Sequence, residues 1–301
     1  MKHIRHSLWL SLALAMTSMA AQHPNIVLIY ADDQGWNDTG YQSDGVFKTP
    51  VLDRMAKEGM VFTDAYTNAA NCQPARACLL SGNYTPRHHV FAVSRTDRGP
   101  KEKMRLVPIP NRDGLHEGDS TIADALKAAG YTTGHFGKWH LFHPGGKAAS
   151  GGGGALPSQQ GFDVTYDSFG DGKLLEGSKG NFPGPKTDPK GVFDLSRQAC
   201  KFMEVNKDKP FFVYLAHHAP HGPVNSRDAT RKMIKDPYQA CVYDLDASVD
   251  LVLKKIKELG IEKNTLVIYT SDNGGYGKQG LFRGEKGMYY EGGIREPMIA
   301  L

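Results

Sequence analysis

Cysteine is scarce in this chain, with four residues among 301. Small secreted proteins whose fold depends on disulfides need a far higher density, so that class is excluded. Cys200 and Cys241 fall within helical patterns and are expected in the core, while a disulfide between some pair stays open. Tandem repeats are absent as well, and the low-complexity patch is a glycine-rich stretch at residues 145–154. A hydrophobic core is therefore expected to hold the fold together.

Runs of positive charge are also missing. The chain carries 36 lysines and arginines against 32 aspartates and glutamates, and the two signs are interspersed. Nucleic acids and anionic membrane surfaces are bound by clustered basic residues. Neither is predicted as a partner.

The first 20 residues differ in kind from the rest. Lys2 and Arg5 belong to a basic head, residues 8–16 are mainly apolar, and residues 18–20 form a small-residue cleavage site. This pattern is typical of a secretory signal peptide, and the apolar stretch is too short to span a membrane. An N-terminal anchor helix is the alternative, but no stable membrane anchor is predicted. We expect residues 1–20 to be removed and the protein to be exported, to a periplasm or the medium.

Short apolar runs alternate with amphipathic segments along the chain. The predicted helices are residues 49–58, 121–129 (capped by Ser120), 192–205 and 236–259, and the predicted strands are residues 25–30, 60–65, 131–136, 211–216 and 265–270. Continuous apolar strands between helices indicate an α/β domain with a mainly parallel central sheet flanked by helices.

Four of the apolar strands run directly into polar clusters. These clusters contain Asp32 and Asp33, Lys138 and His140, His221, and Asp272 and Asn273. Ligands of open α/β sheets bind beyond the carboxyl ends of the strands, so we expect the clusters to converge on one crevice. Taken singly, each has a plainer interpretation as a turn, a helix cap or a solvated side chain.

The residue types in these clusters indicate the chemistry of the crevice. Asp32, Asp33, Asp272 and Asn273 offer oxygen ligands, which favour Ca²⁺ or Mg²⁺ over zinc. Arg76, Lys138, His140 and His221 would surround an anion beside the cation. A cation together with several cationic donors suits a sulfate or phosphate ester.

Residues 71–82 are predicted to open a short helix with Cys72 at its start. Unpaired amides and the macrodipole at a helix start stabilise a thiolate, and Arg76 brings a fixed cation close. The alternative is a buried cysteine beside a structural arginine.

The segment Cys72-Gln73-Pro74-Ala75-Arg76, followed by Leu79-Leu80-Ser81-Gly82, resembles the signature of the type I, formylglycine-dependent sulfatases. The resemblance extends over residues 24–301 and includes further blocks in the family's order, at residues 24–33, 49–53, 129–140, 219–221, 271–274, 283–287 and 290–297. It implies an arylsulfatase-like member of the alkaline phosphatase superfamily fold.

The resemblance also implies roles for single residues. Cys72 is oxidised to Cα-formylglycine by a maturation enzyme that binds transiently, and the aldehyde hydrate is the nucleophile toward a sulfate ester. Ca²⁺, in preference to Mg²⁺, is bound by Asp32, Asp33, Asp272 and Asn273 with the modified Cys72. In the same way Arg76 and Lys138 hold the hydrate, His140 assists its deprotonation, and His221 and Lys286 bind sulfate and protonate the leaving oxygen.

The end of the chain departs from the family pattern. Residues 297–301 look like the start of another core strand, whereas family members continue into a smaller C-terminal subdomain. Residues 21–301 are therefore predicted to be the N-terminal catalytic domain without that subdomain. The predicted function is hydrolysis of aryl or carbohydrate sulfates. The alternatives are a phosphonate or phosphate ester hydrolase on the same fold and a non-catalytic protein that binds sulfated glycans.

Overall fold

The computed structural model describes residues 23–93, 96, 99–142, 153–166, 185–277 and 280–301. The predicted signal peptide and most of the glycine-rich stretch lie outside the described residues.

A seven-stranded sheet runs through the described part of the chain. Its strands are β1 (Asn25–Asp32), β2 (Met60–Val61), β3 (Thr132–Gly137), β4 (Val164–Tyr166), β5 (Phe211–Pro220), β6 (Thr265–Ser271) and β7 (Ile299–Ala300). Their order in the sheet is β2-β7-β6-β1-β5-β3-β4. Strands β4, β3, β5, β1 and β6 are mutually parallel, and β7 is antiparallel to both β6 and β2. The predicted mainly parallel α/β architecture is confirmed, and residues 297–301 do contain a strand.

Helices cover both faces of the sheet. They are α1 (Pro50–Glu58), α2 (Cys72–Ser81), α3 (Thr85–His88), α4 (Ile122–Ala128), α5 (Val192–Asn206), α6 (Asp228–Met233), α7 (Pro237–Glu258) and α8 (Glu291–Ile294). Phe211, Val213 and Leu215 of β5 join the core cluster that contains residues of α1, α5 and α7. The alternate residues Phe212 and Tyr214 join a second cluster with residues of α2 and α4. Burial on both faces explains why residues 211–216 of this strand form an unbroken apolar run in the sequence.

Two local predictions were wrong. The strand expected at residues 60–65 is limited to Met60–Val61, because its partner β7 has just two residues, Ile299 and Ala300. The helix expected from Ser120 is capped instead by Thr121, whose hydroxyl accepts from the Asp124 amide (3.2 Å). The Asp124 carboxylate accepts from the Thr121 amide in return (2.9 Å), which completes a capping box.

The cysteines all lie in described parts of the chain, and none of the four is disulfide-bonded. Cys200 in α5 and Cys241 in α7 are buried, as predicted. The longest described helix, α7, has 22 residues, and none of the helices in the described ranges has the length and apolar character needed to cross a bilayer.

Candidate active site

Side chains from the carboxyl ends of four parallel strands meet at one place, as the sequence predicts. Asp32 ends β1 and Lys138 follows β3, and the Lys138 ammonium donates to both carboxylate oxygens of Asp32 (2.8 and 2.7 Å). Both side chains are buried. Burial alone would raise the pKa of Asp32, but the charges of Lys138 and Arg76 hold that pKa well below its usual range.

Arg76, in the middle of α2, reaches the end of β6. Its Nε and Nη2 atoms donate to Oδ2 of Asp272 (3.0 and 2.7 Å), and both side chains are fully buried. The guanidinium also donates to the backbone carbonyl of Lys138 (3.2 Å). Burial, followed by the charge of Asp32, raises the pKa of Asp272 to about 7. Arg76 thus links helix α2 to the residues that directly follow β6 and β3.

Cys72 is the first residue of α2 and only 2% exposed. Its Sγ lies 3.5 Å from Oδ1 of Asp33. Burial, and then the negative charges of Asp272 and Asp32, raise the pKa of the thiol well above its usual value. The predicted stabilised thiolate is therefore wrong, because desolvation and the carboxylates outweigh the helix start. An unmodified Cys72 would be a poor nucleophile here.

Asp33 lies at the centre of the cluster. Its backbone is left-handed (φ 65°), a conformation that aspartate tolerates better than most residues, and its amide donates to Asp272 (3.0 Å). Its Oδ2 lies 2.5 Å from the Lys286 ammonium and 3.6 Å from Nε2 of His221. The other oxygen, Oδ1, accepts from Nδ2 of Asn273 (2.8 Å).

The cluster offers ligand atoms for a cation. Asp32, Asp33, Cys72 and His221 offer ligand atoms that lie within 4.8 Å of one another. Oδ1 of Asn273 is buried and has no hydrogen-bond partner among the described residues, so this oxygen is available as a further ligand.

The ligand set predicted from the sequence stays a prediction. His221, which is predicted to bind sulfate, belongs to the group of four. Asp272, a predicted ligand, lies outside that group. Its Oδ2 accepts from Arg76 and its Oδ1 from the Asp33 amide.

Lys286 and His140 complete the set of predicted residues. The Lys286 ammonium contacts Asp33 and the hydroxyl of Tyr276 (3.2 Å). Burial lowers the pKa of Lys286, but nearby negative charge, including that of Asp33, which also accepts its hydrogen bond, raises it overall. His140 lies two residues beyond Lys138, half-buried and with a left-handed backbone (φ 63°). Its role stays a prediction.

Sequence reasoning missed three residues around the cluster. The Tyr214 hydroxyl accepts from Arg76 (3.4 Å), and Tyr276 contacts Lys286. Glu296 is 2% exposed, and neither of its carboxylate oxygens has a hydrogen-bond partner within the described ranges. Burial, with the charge of Asp272, raises its pKa well above the usual value. Tyr214 is hidden within an apolar strand, so no local pattern distinguishes it, whereas Tyr276 follows the turn after Asp272 closely.

Residues 24–301 match the family model described as Sulfatase. The chain belongs to the sulfatase family. N-acetylgalactosamine-6-sulfatase of Mus musculus is 34% identical to this sulfatase over 93% of the chain and 58% of its own length. Arylsulfatase A of Homo sapiens is 33% identical over 97% of the chain and 61% of its own length.

The solved structure of Ps i-CgsB in complex with k-i-k-neocarrahexaose is similar in fold. Its TM-score is 0.73 at 28% identity, with 93% of this sulfatase and 66% of that chain covered. The predicted family and its fold are confirmed. The sulfatase spans about three fifths of the length of the curated relatives it matches.

Proposed function

We propose that this sulfatase is the catalytic domain of a sulfuric ester hydrolase whose nucleophile is made from Cys72. The observation that carries the proposal is the position of Cys72. Its Sγ belongs to the same group of four ligand side chains as Asp32, Asp33 and His221. A formylglycine at this position would supply, once hydrated, an oxygen nucleophile where the thiol is held protonated.

The residues around Cys72 divide into two groups. Asp32, Asp33, Asp272 and Asn273 would hold a cation, with His221 at its edge. A bound Ca²⁺ would offset the negative charge of the sulfate oxygens. The oxygen-only character of the first four residues and the orphaned Oδ1 of Asn273 support a hard cation.

The cationic side chains would orient the reacting groups. Arg76 and Lys138, fixed by their carboxylate partners, would hold the modified side chain of residue 72. Lys286 and His221 would bind sulfate, since both reach the central carboxylate Asp33 from the more exposed side. One of them would protonate the leaving oxygen, and His140 would take up a proton from residue 72.

We infer that the alcohol part of the substrate is a sugar or a small aromatic compound. N-acetylgalactosamine-6-sulfatase and arylsulfatase A are among the relatives, and Ps i-CgsB was solved with a bound oligosaccharide. Residues 1–20 support export of the protein. A maturation enzyme would be a transient partner if Cys72 is modified.

We expect the mature protein to release sulfate from an aryl sulfate and to act much more slowly on the matching aryl phosphonate. Mass spectrometry of the Cys72 peptide should show formylglycine in the same sample. Faster turnover of the phosphonate would favour the alternative hydrolase. Tight binding of a sulfated glycan with no turnover, despite formylglycine, would favour a non-catalytic binding protein.

Ca²⁺ should stabilise the fold and be required for turnover. At a free Ca²⁺ concentration of 100 times its Kd, the free energy of unfolding should rise by about 2.7 kcal/mol. Asp33→Asn should remove most of this gain, while Asp250→Asn, at a half-exposed ion pair on α7, should retain it. Thermal unfolding with chelator, Ca²⁺ or Mg²⁺ gives the measurement. Equal Ca²⁺ effects in both variants would argue against the proposed ligands.

A further inference from the structure

Lys190 is a buried lysine outside the set of residues assigned so far. It lies one residue before the N-cap of α5 and is 2% exposed. Lysine is seldom buried to this degree unless its ammonium is paired. The Lys190 ammonium donates to the backbone carbonyl of His221 (2.7 Å) and lies 3.4 Å from that of Pro223.

These two carbonyls belong to the turn that carries the His221 imidazole. The turn follows β5 directly, and the Lys190 ammonium donates hydrogen bonds to both carbonyls. The His221 side chain itself is 37% exposed, so packing holds it only in part. Its Nδ1 contacts the Gly222 carbonyl (2.5 Å), and its Nε2 lies 3.6 Å from Asp33. The direction of the ring is therefore set largely by the backbone of the turn.

Burial lowers the pKa of Lys190, and Cys241, Asp32 and Asp33 oppose this shift without offsetting it. Hydrogen bonds to two backbone carbonyls help to satisfy the buried ammonium. Because Lys190 directly precedes the N-cap of α5, its hydrogen bonds join the turn to a helix of 15 residues.

We propose that Lys190 is a positioning residue that fixes the turn at residues 221–223 and thereby aims His221 at the sulfate of the substrate. The inference rests on the proposed function, in which His221 contacts that sulfate. Lys190 acts through the backbone of His221 and does not touch the reacting atoms. Residues that orient a catalytic side chain affect rate when they are lost, although they take no part in the chemistry.

The kinetic test is a double-mutant cycle in the full-length, mature protein. Lys190→Met keeps the apolar stem and removes the donors, and it should lower kcat/KM for an aryl sulfate by about 10- to 100-fold. In a His221→Ala background the same change should cost less than about twofold, because there is no ring left to orient. Lys201→Met, at an exposed site on α5, serves as the control and should leave kcat/KM unchanged.

Hydrogen exchange measured by mass spectrometry provides a second readout that needs no turnover. The amides of Gly222 and of residues 224–227 should exchange faster in Lys190→Met than in Lys201→Met. Unchanged exchange there, or losses in Lys190→Met and His221→Ala that simply multiply, would overturn the inference. If the mature wild-type protein releases no sulfate, the proposed function fails, and the exchange comparison alone decides whether Lys190 holds the turn.

Discussion

Cys72→Ala should abolish sulfate release, with kcat lowered by at least about 10⁴-fold, as is typical when a catalytic nucleophile is removed. The expected loss is large because the proposed nucleophile is made from Cys72 itself, and alanine offers no group that could replace it. The Sγ of Cys72 is in contact with Asp33. The neighbouring basic side chains, Arg76 and Lys138, form ion pairs with carboxylates. Initial rates on an aryl sulfate, with protein whose Cys72 peptide has been checked for formylglycine, give the measurement.

Cys78→Ala is the matched control for this substitution. Cys78 lies in the same helix and is equally buried, but its Sγ faces Nε2 of His88 (3.3 Å) and not the carboxylates. Its loss should change kcat by no more than about twofold, since it lies outside the site. Residual turnover in Cys72→Ala comparable with that of Cys78→Ala would show that Cys72 is not the source of the nucleophile.

Arg76→Met should cause the largest loss of stability among substitutions in the site. Asp272 would remain fully buried without its partner, and removal of one member of a buried ion pair costs about 3–5 kcal/mol. For a domain of this size that corresponds to a fall in Tm of roughly 6–20 °C. The measurement is thermal or denaturant unfolding in the presence of chelator, so that no cation compensates for the missing guanidinium.

Arg54→Met tests whether burial of the ion pair is the reason for the large stability loss expected in Arg76→Met. Arg54 forms an ion pair with Asp250 at a similar distance (2.8 Å), but its side chain is 46% exposed. Exposed pairs contribute about 0–1 kcal/mol, so Tm should change little. Equal losses of stability in the two variants would contradict the claim that the buried Arg76–Asp272 pair contributes more than the exposed pair.

Much of the fold could be predicted because apolar strands and amphipathic helices differ in period. Residues 211–216 of β5 and 266–269 of β6 stand out as apolar runs, and α7 shows its buried stripe at helical spacing. The length of the edge strand β2 could not be predicted in the same way. The length of β2 is set by β7, which lies about 240 residues further along the chain. No local pattern contains that information.

In the candidate site, too, some features follow from local sequence pattern and others depend on residues far along the chain. Polar residues at the carboxyl ends of parallel strands predict a common crevice, and the distances around Asp33 confirm it. The ionisation of Cys72 was not predictable, because it depends on burial and on Asp272, which lies 200 residues away. Lys190 was missed for a related reason. Nothing in its sequence neighbours shows that its ammonium meets the carbonyls of residues 221 and 223.

The central position of β1 also determines when this strand can pair during synthesis of the chain. Its neighbours pair through Phe212 on one side and Thr265 on the other, so β1 has no native partner until those residues have been synthesised. At ordinary rates of translation this delay is on the order of 10–50 s. Cys72 emerges early in that interval and becomes almost inaccessible once the sheet has closed around it. An enzyme that modifies Cys72 would therefore act before the sheet has closed and buried the side chain.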